Sequence, residues 1–118
     1  MPKLMTFEKL MKEELLPVVA IDQNSFFIRI NQAFEREYGW SAEELLGKSI
    51  TEIIPTYLRD AHQIGFSRFI VTEQPTLLGK KLPLKVLYKD GTERDAEHYI
   101  VGQKTNGNWQ FAASIVTI

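Results

Sequence analysis

Two tight-turn signals, Asp90-Gly91 and Asn106-Gly107-Asn108, constrain this chain more than anything else in it. Asn-Gly and Asp-Gly supply the positive φ angles of two-residue hairpin turns, whose twist matches that of the flanking strands. They join runs rich in β-branched and aromatic residues: "LPLKVLYK", "TERDAEHYIV" and "WQFAASIVTI". Three consecutive strands are therefore expected to form an antiparallel meander. A second pair, "VVAID" and "FFIRIN" with "QNS" between them, reads as a hairpin over residues 18–31.

The residues between these blocks read as helices. "NQAFEREY" stops at Gly39, and "SAEELLG" places Ser41 and Glu44 for a reciprocal N-cap before closing on Gly47. "SITEIIP" repeats that spacing with Ser49 and Glu52, and a longer helix is expected from about Tyr57 to Thr72, ended by Gln74-Pro75. Ahead of everything, "TFEKLMKEELL" spaces Phe7, Leu10, Met11 and Leu15 as an amphipathic helix that Pro17 ends. Helix, two strands, short helices, three strands is the order of an α+β domain. It predicts an antiparallel sheet with several short helices gathered on one face. Residues 1–17 make a flanking helix and residues 18–118 the domain itself.

A chain of 118 residues suits one such domain. Its net charge is −1 and its charges are interleaved, so it lacks the basic stripe that phosphate-backbone binding needs, and no direct nucleic-acid contact is expected. The longest apolar run, residues 15–21, contains Pro17 and is far short of a membrane span. The N-terminus alternates charges, unlike a signal peptide, so a cytoplasmic protein without membrane association is expected. No nucleophile elbow, phosphate loop or metal-ligand spacing occurs. Glu43 and Glu44 belong to a helix start, and Asp95 and Glu97 to a strand face expected to be solvated. No catalytic residue is assigned, and enzymatic activity is not expected.

Two blocks, "VVAID…FFIRINQAFEREYGWSAEELLGKSITEIIP" and "YKDGTERDAE", resemble a PAS domain in order and spacing. The resemblance runs from Val18 to Ile118. It implies a five-stranded antiparallel sheet, a pocket between sheet and helices, and a sensory or dimerisation role upstream of a kinase, cyclase or transcription regulator, as in two-component systems of bacteria. A homodimer formed through the leading helix is a further implication. The chain has no cysteine, which excludes cysteinyl-flavin and cinnamoyl chromophores.

The segment from His62 to Ile100 also resembles, without a gap, the oxygen-sensing haem PAS domains of nitrogen-fixation histidine kinases. That resemblance implies haem b as cofactor, with His62 as proximal ligand of the haem iron. Arg68 matches an arginine of the same helix, Leu77 and Leu78 match apolar loop residues, and His98 and Ile100 fall on distal-side positions. The sequence departs at Leu82, where that family has its distal arginine, at Thr76 for a histidine, and at Gly65 for an aromatic residue. A histidine at the position of His62 also occurs in PAS sequences without haem, where it caps or bridges loop groups.

On a helical wheel, Leu58, Ala61, Gly65 and Phe69 form one apolar stripe with His62 and Phe66 along its edge. Gly65 costs about 1 kcal/mol of helix propensity against alanine, which close approach of a strand or flat ligand would explain. Period-2 alternation puts Ala96, His98 and Ile100 on one strand face, and Phe111, Ala113 and Ile115 on another. The expected ligand pocket is therefore His62, Phe66, Phe69, Leu78, His98, Ile100, Phe111 and Ala113. His98 has an alternative role as a strand residue bonded to a backbone carbonyl. Arg29, Arg68 and Lys85 are the cations to test against a carboxylate ligand, or else a solvated face. Two functions remain in view: a sensory domain holding a small ligand or haem, and a ligand-free interaction module whose pocket its own aromatics fill.

Overall fold

The computed structural model describes residues 5–73 and 78–118. The start of the flanking segment (residues 1–4), the expected helix stop at Gln74-Pro75, the departure at Thr76 and the loop match at Leu77 lie outside them.

Five strands form one antiparallel sheet: β1 (Val18–Asp22), β2 (Phe27–Ile30), β3 (Lys81–Leu87), β4 (Glu93–Thr105) and β5 (Asn108–Thr117), in the order β2-β1-β5-β4-β3. The first and last strands thus meet at its centre, with Val19 opposite Ala113 and Ile21 opposite Phe111. At the β4–β5 turn Asn106 and Gly107 take φ angles of 52° and 79°, the left-handed pair that a tight hairpin demands.

The helices follow their caps. α1 is Phe7–Lys12, shorter than its apolar spacing suggested, because the chain turns extended at Glu13. α2 (Gln32–Tyr38) ends on Gly39 at φ 82°, and α3 (Ala42–Leu45) carries the full reciprocal cap of Ser41 and Glu44. At Ser49 the device is one-sided. Its hydroxyl accepts from the Thr51 N–H, and a 3-10 turn (Ile50–Ile53) forms instead of an α-helix. A second 3-10 turn (Thr56–Leu58) leads into α4 (Arg59–Thr72).

Two apolar layers sandwich the sheet. On the inner face Phe27, Phe34, Tyr38, Leu45, Val86 and Ile115 form the main core, and the Tyr38 hydroxyl donates to the Ile115 carbonyl at 2.8 Å. On the outer face α1 lays Phe7 and Leu10 over Val18, Ala20, Val101 and Ala112. Each large side chain so buried contributes about 1.5–3 kcal/mol. Tyr99 packs beside that layer, so the β4 face that carries exposed Asp95 and Glu97 is solvated at one end and covered by α1 at the other.

One side chain ties the layers together. Asn31, 5% exposed, accepts from the N–H groups of Phe34 and Val18 at 2.9 Å each. Its amide donates to the carbonyls of Glu13 at 3.0 Å and Leu16 at 2.8 Å. It therefore caps α2 while fixing the link between α1 and β1.

α4 is attached differently, since none of its side chains is fully buried. Leu58, just before it, and His62, Phe66, Phe69 and Ile70 are half-buried toward the sheet, whereas Ile64 and Val71 are 60% and 83% exposed.

Candidate ligand-binding cavity

Between α4 and the inner face of the sheet lies a cavity of about 350 Å³. That is at the small end of ligand sites, which run from roughly 300 to 1,000 Å³. Its floor is the sheet: Val19 and Ile21 from β1, His98 and Ile100 from β4, and Phe111, Ala113 and Ile115 from β5. Alternation along each strand turns these side chains to one face, and small Ala113 leaves the space above it open. Ile50, Ile53 and Ile54 of the first 3-10 segment close one end. Leu58, Ala61 and His62 make the helical wall, and Leu84 and Lys85 of edge strand β3 form a rim.

The pocket expected from sequence divides in two. His62, His98, Ile100, Phe111 and Ala113 all line the cavity. Phe66, Phe69 and Leu78 do not; they pack outside its lining. The reason is aromatic packing. The Phe66 and Phe69 rings each meet Phe111 edge-on at 5.4 Å, and Phe69 meets Trp109 at 5.0 Å, which fills the space under the C-terminal half of α4. Leu78 presses on the far side of this cluster, where Gly102 lets it approach. A Cβ at Gly102 would sit 3.2 Å from both Leu78 and Phe111.

The inward stripe of α4 departs from the wheel's expectation at one position. Leu58 and Ala61 line the cavity and Phe69 packs against the core, as do the edge residues His62 and Phe66, but Gly65 is exposed. A Cβ at Gly65 would meet nothing within 4 Å, so no strand approaches it closely. Val19 and Ile21 of β1, Leu84 of β3 and the isoleucines at the 3-10 turn are linings beyond those expected from sequence. "VVAID" does carry the signal, since alternation puts Val19 and Ile21 on one face.

The two histidines differ in their surroundings. His98, 9% exposed, holds its Nδ1 3.0 Å from the Ala96 carbonyl oxygen. A carbonyl only accepts, so Nδ1 carries the proton and Nε2 keeps its lone pair. Burial lowers the His98 pKa, and the Ala96 hydrogen bond opposes that weakly. His62 stacks on Phe66 with ring centroids 6.1 Å apart, and its Nδ1 is buried with no partner. Burial pushes its pKa down as well. Both imidazoles are accordingly neutral near pH 7.

The cations contribute little to the cavity. Lys85 at the rim is paired with Asp95 at 2.9 Å, and Arg68 is exposed on α4. Arg29 does not line the cavity, and its buried Nε has no partner. Among the described residues no group of three or more acidic, histidine or cysteine side chains is arranged to hold a metal ion.

The model of the PAS fold matches residues 16–99 of this chain. The chain belongs to the PAS family. PAS domains are in general sensory modules of signal transduction rather than catalysts. An uncharacterized protein of Azorhizobium caulinodans is 27% identical over 99 residues, or 83% of this chain. The sensor protein FixL of Bradyrhizobium diazoefficiens is 25% identical over 99 residues, or 84% of this chain. The chain spans 14% and 19% of the length of those two relatives. The PAS domain of a Desulfitobacterium hafniense protein superposes with a TM-score of 0.73 at 18% identity, covering 92% of this chain and 97% of that one. No helix among the described residues is long and apolar enough to cross a membrane.

A haem does not fit this PAS cavity as it is folded. At about 350 Å³ the cavity lies at the bottom of the roughly 300–1,000 Å³ range of ligand sites, whereas a porphyrin with its propionates is a large, rigid ligand. An iron-ligating imidazole ordinarily donates its remote N–H to a carboxylate or carbonyl, and Nδ1 of His62 has no such acceptor.

Proposed function

We propose that this PAS domain is the sensory input unit of a signal-transduction protein. It binds one small, mostly apolar ligand between the sheet and α4. The observation that carries this reading is the cavity itself, floored by small Ala113 and lined by apolar side chains with two neutral imidazoles. A self-filled interaction module would need no such space, and the Phe66–Phe69–Trp109–Phe111 cluster fills only the neighbouring region.

Occupancy is read by α4, the one wall with no fully buried side chain. It passes through the sheet, whose outer face carries α1. Residues 1–17 are then the flanking segment through which residues 18–118 address a second copy of the chain or an output partner such as a kinase, cyclase or transcription regulator. A ligand shifts such an equilibrium only by its different affinity for two conformations. Within the cell the domain works on the cytoplasmic side.

The test is native mass spectrometry of the protein as expressed, together with a visible spectrum after haem is supplied. A co-purifying mass of a small organic molecule, lost in Ala113→Leu, is expected. A Soret band that disappears in His62→Ala overturns the reading in favour of a haem sensor. An empty cavity that takes up no apolar probe overturns it in favour of the interaction module.

A further inference from the structure

The cavity has an uneven polar inventory, and this decides what it accepts. The Ala96 carbonyl holds the proton of His98 on Nδ1, at 3.0 Å. The remaining ring nitrogen, Nε2, is then an acceptor on a side chain that lines the cavity and is 9% exposed. Among the described lining residues the one formal charge belongs to Lys85, already neutralised by Asp95 at 2.9 Å on the rim. The opposing helical wall offers His62, whose buried Nδ1 makes no hydrogen bond.

An acceptor facing an apolar chamber with no free cation is poorly suited to a carboxylate. The anion would lose its water and find no free cation, meeting the lone pair of His98 and at most one neutral N–H, on His62. It is well suited to one hydroxyl donor on an otherwise apolar body. We infer that the cavity selects a small uncharged alcohol or phenol over the corresponding carboxylate, its hydroxyl donating to Nε2 of His98. This rests on the cavity being the ligand site proposed above, and names the class of ligand. Burial keeps the ring unprotonated at neutral pH, so the acceptor persists under working conditions.

The probes are 1-decanol, decanoate and decane, each titrated at pH 7.5 into the full chain carrying 15N-labelled histidine. Calorimetry gives the affinities, and the ring-nitrogen resonances of His98 report the contact. Decanol is expected to bind about tenfold more tightly than either competitor, with a shift of the His98 Nε2 resonance toward the hydrogen-bonded value. His98→Leu is expected to bind decanol and decane equally. Decanoate binding as tightly as decanol overturns the selectivity, as does an unmoved Nε2 resonance in the decanol complex. The resonance is read on the unsubstituted protein, so a poorly folding variant leaves the test intact. Failure of all three probes to bind overturns the ligand-cavity reading and the selectivity together. Equal binding of all three overturns the selectivity alone.

Discussion

Replacing Asn31 by alanine removes four hydrogen bonds with a single change. Two are accepted, from Phe34 N–H and Val18 N–H, and two are donated, to the Glu13 and Leu16 carbonyls. The lost N-cap costs about 1 kcal/mol. Each of the other three bonds is worth about 0.5–1.5 kcal/mol net, toward the upper figure here because the residue is only 5% exposed. Summed, Asn31→Ala destabilises the domain by about 3–5 kcal/mol. For a domain of this size that corresponds to a drop in Tm of roughly 10–20 °C. Urea unfolding followed by far-ultraviolet circular dichroism measures it, and an unchanged slope shows that the denatured state is not the cause. Asn31→Ser is a control: its hydroxyl still caps α2 at Phe34 but cannot reach the other partners, so it recovers only about 1 kcal/mol. A loss below about 1.5 kcal/mol for the alanine variant refutes the assignment of Asn31 as the tie between α1, β1 and α2.

Three further outcomes are expected. Ala113→Leu, which pushes its added carbons into the cavity from the floor, abolishes decanol binding while raising stability by about 1 kcal/mol; persistent binding by calorimetry refutes the placement of the cavity. His62 and His98 are both held below the ordinary 6.5, so the unfolded chain binds more protons just under that pH. Stability is then full above about pH 6.5 and falls as pH drops toward the folded-state values, by at most about 1.4 kcal/mol per pH unit for each histidine. Urea midpoints at pH 7.5 and 5.5 check this, and an undiminished pH dependence in His98→Phe refutes it for His98. Gly65→Ala stabilises by about 0.5–1 kcal/mol in thermal unfolding, because Gly65 is an exposed helical position where a Cβ meets nothing; a loss refutes that account.

The sheet was legible because hairpin turns announce themselves locally. Asp90-Gly91 and Asn106-Gly107 fixed two of the three tight connections among the strands, and alternation then set the face of His98, Ile100, Phe111 and Ala113. The pairing of β1 with β5 joins opposite ends of the chain and carries no local signature; the resemblance to a known family implied one five-stranded sheet but not this pairing. α4 was the least legible element. None of its side chains is fully buried, so the wheel separates inward from outward positions poorly: Leu58, Ala61 and Phe69 face in as the stripe implies, Gly65 does not, and the edge residues His62 and Phe66 do. The division of the aromatic residues was hidden for a similar reason. Phe66 and Phe69 look like pocket residues until Trp109 stacks over Phe111 and closes that half of the interior.

The loose attachment of α4 separates two duties that most cavities combine. Fold stability resides in the sheet, in the Asn31 tie and in the layer under α1, whereas one wall of the cavity belongs to a helix with no fully buried side chain. Substitutions along Leu58, Ala61 and His62 therefore reshape the chamber at small cost to the whole, as changes at incompletely buried positions generally do. A library confined to those positions is a practical way to retune the domain toward other guests. The fixed acceptor on β4 would then serve as the common anchor from which each new binder is built.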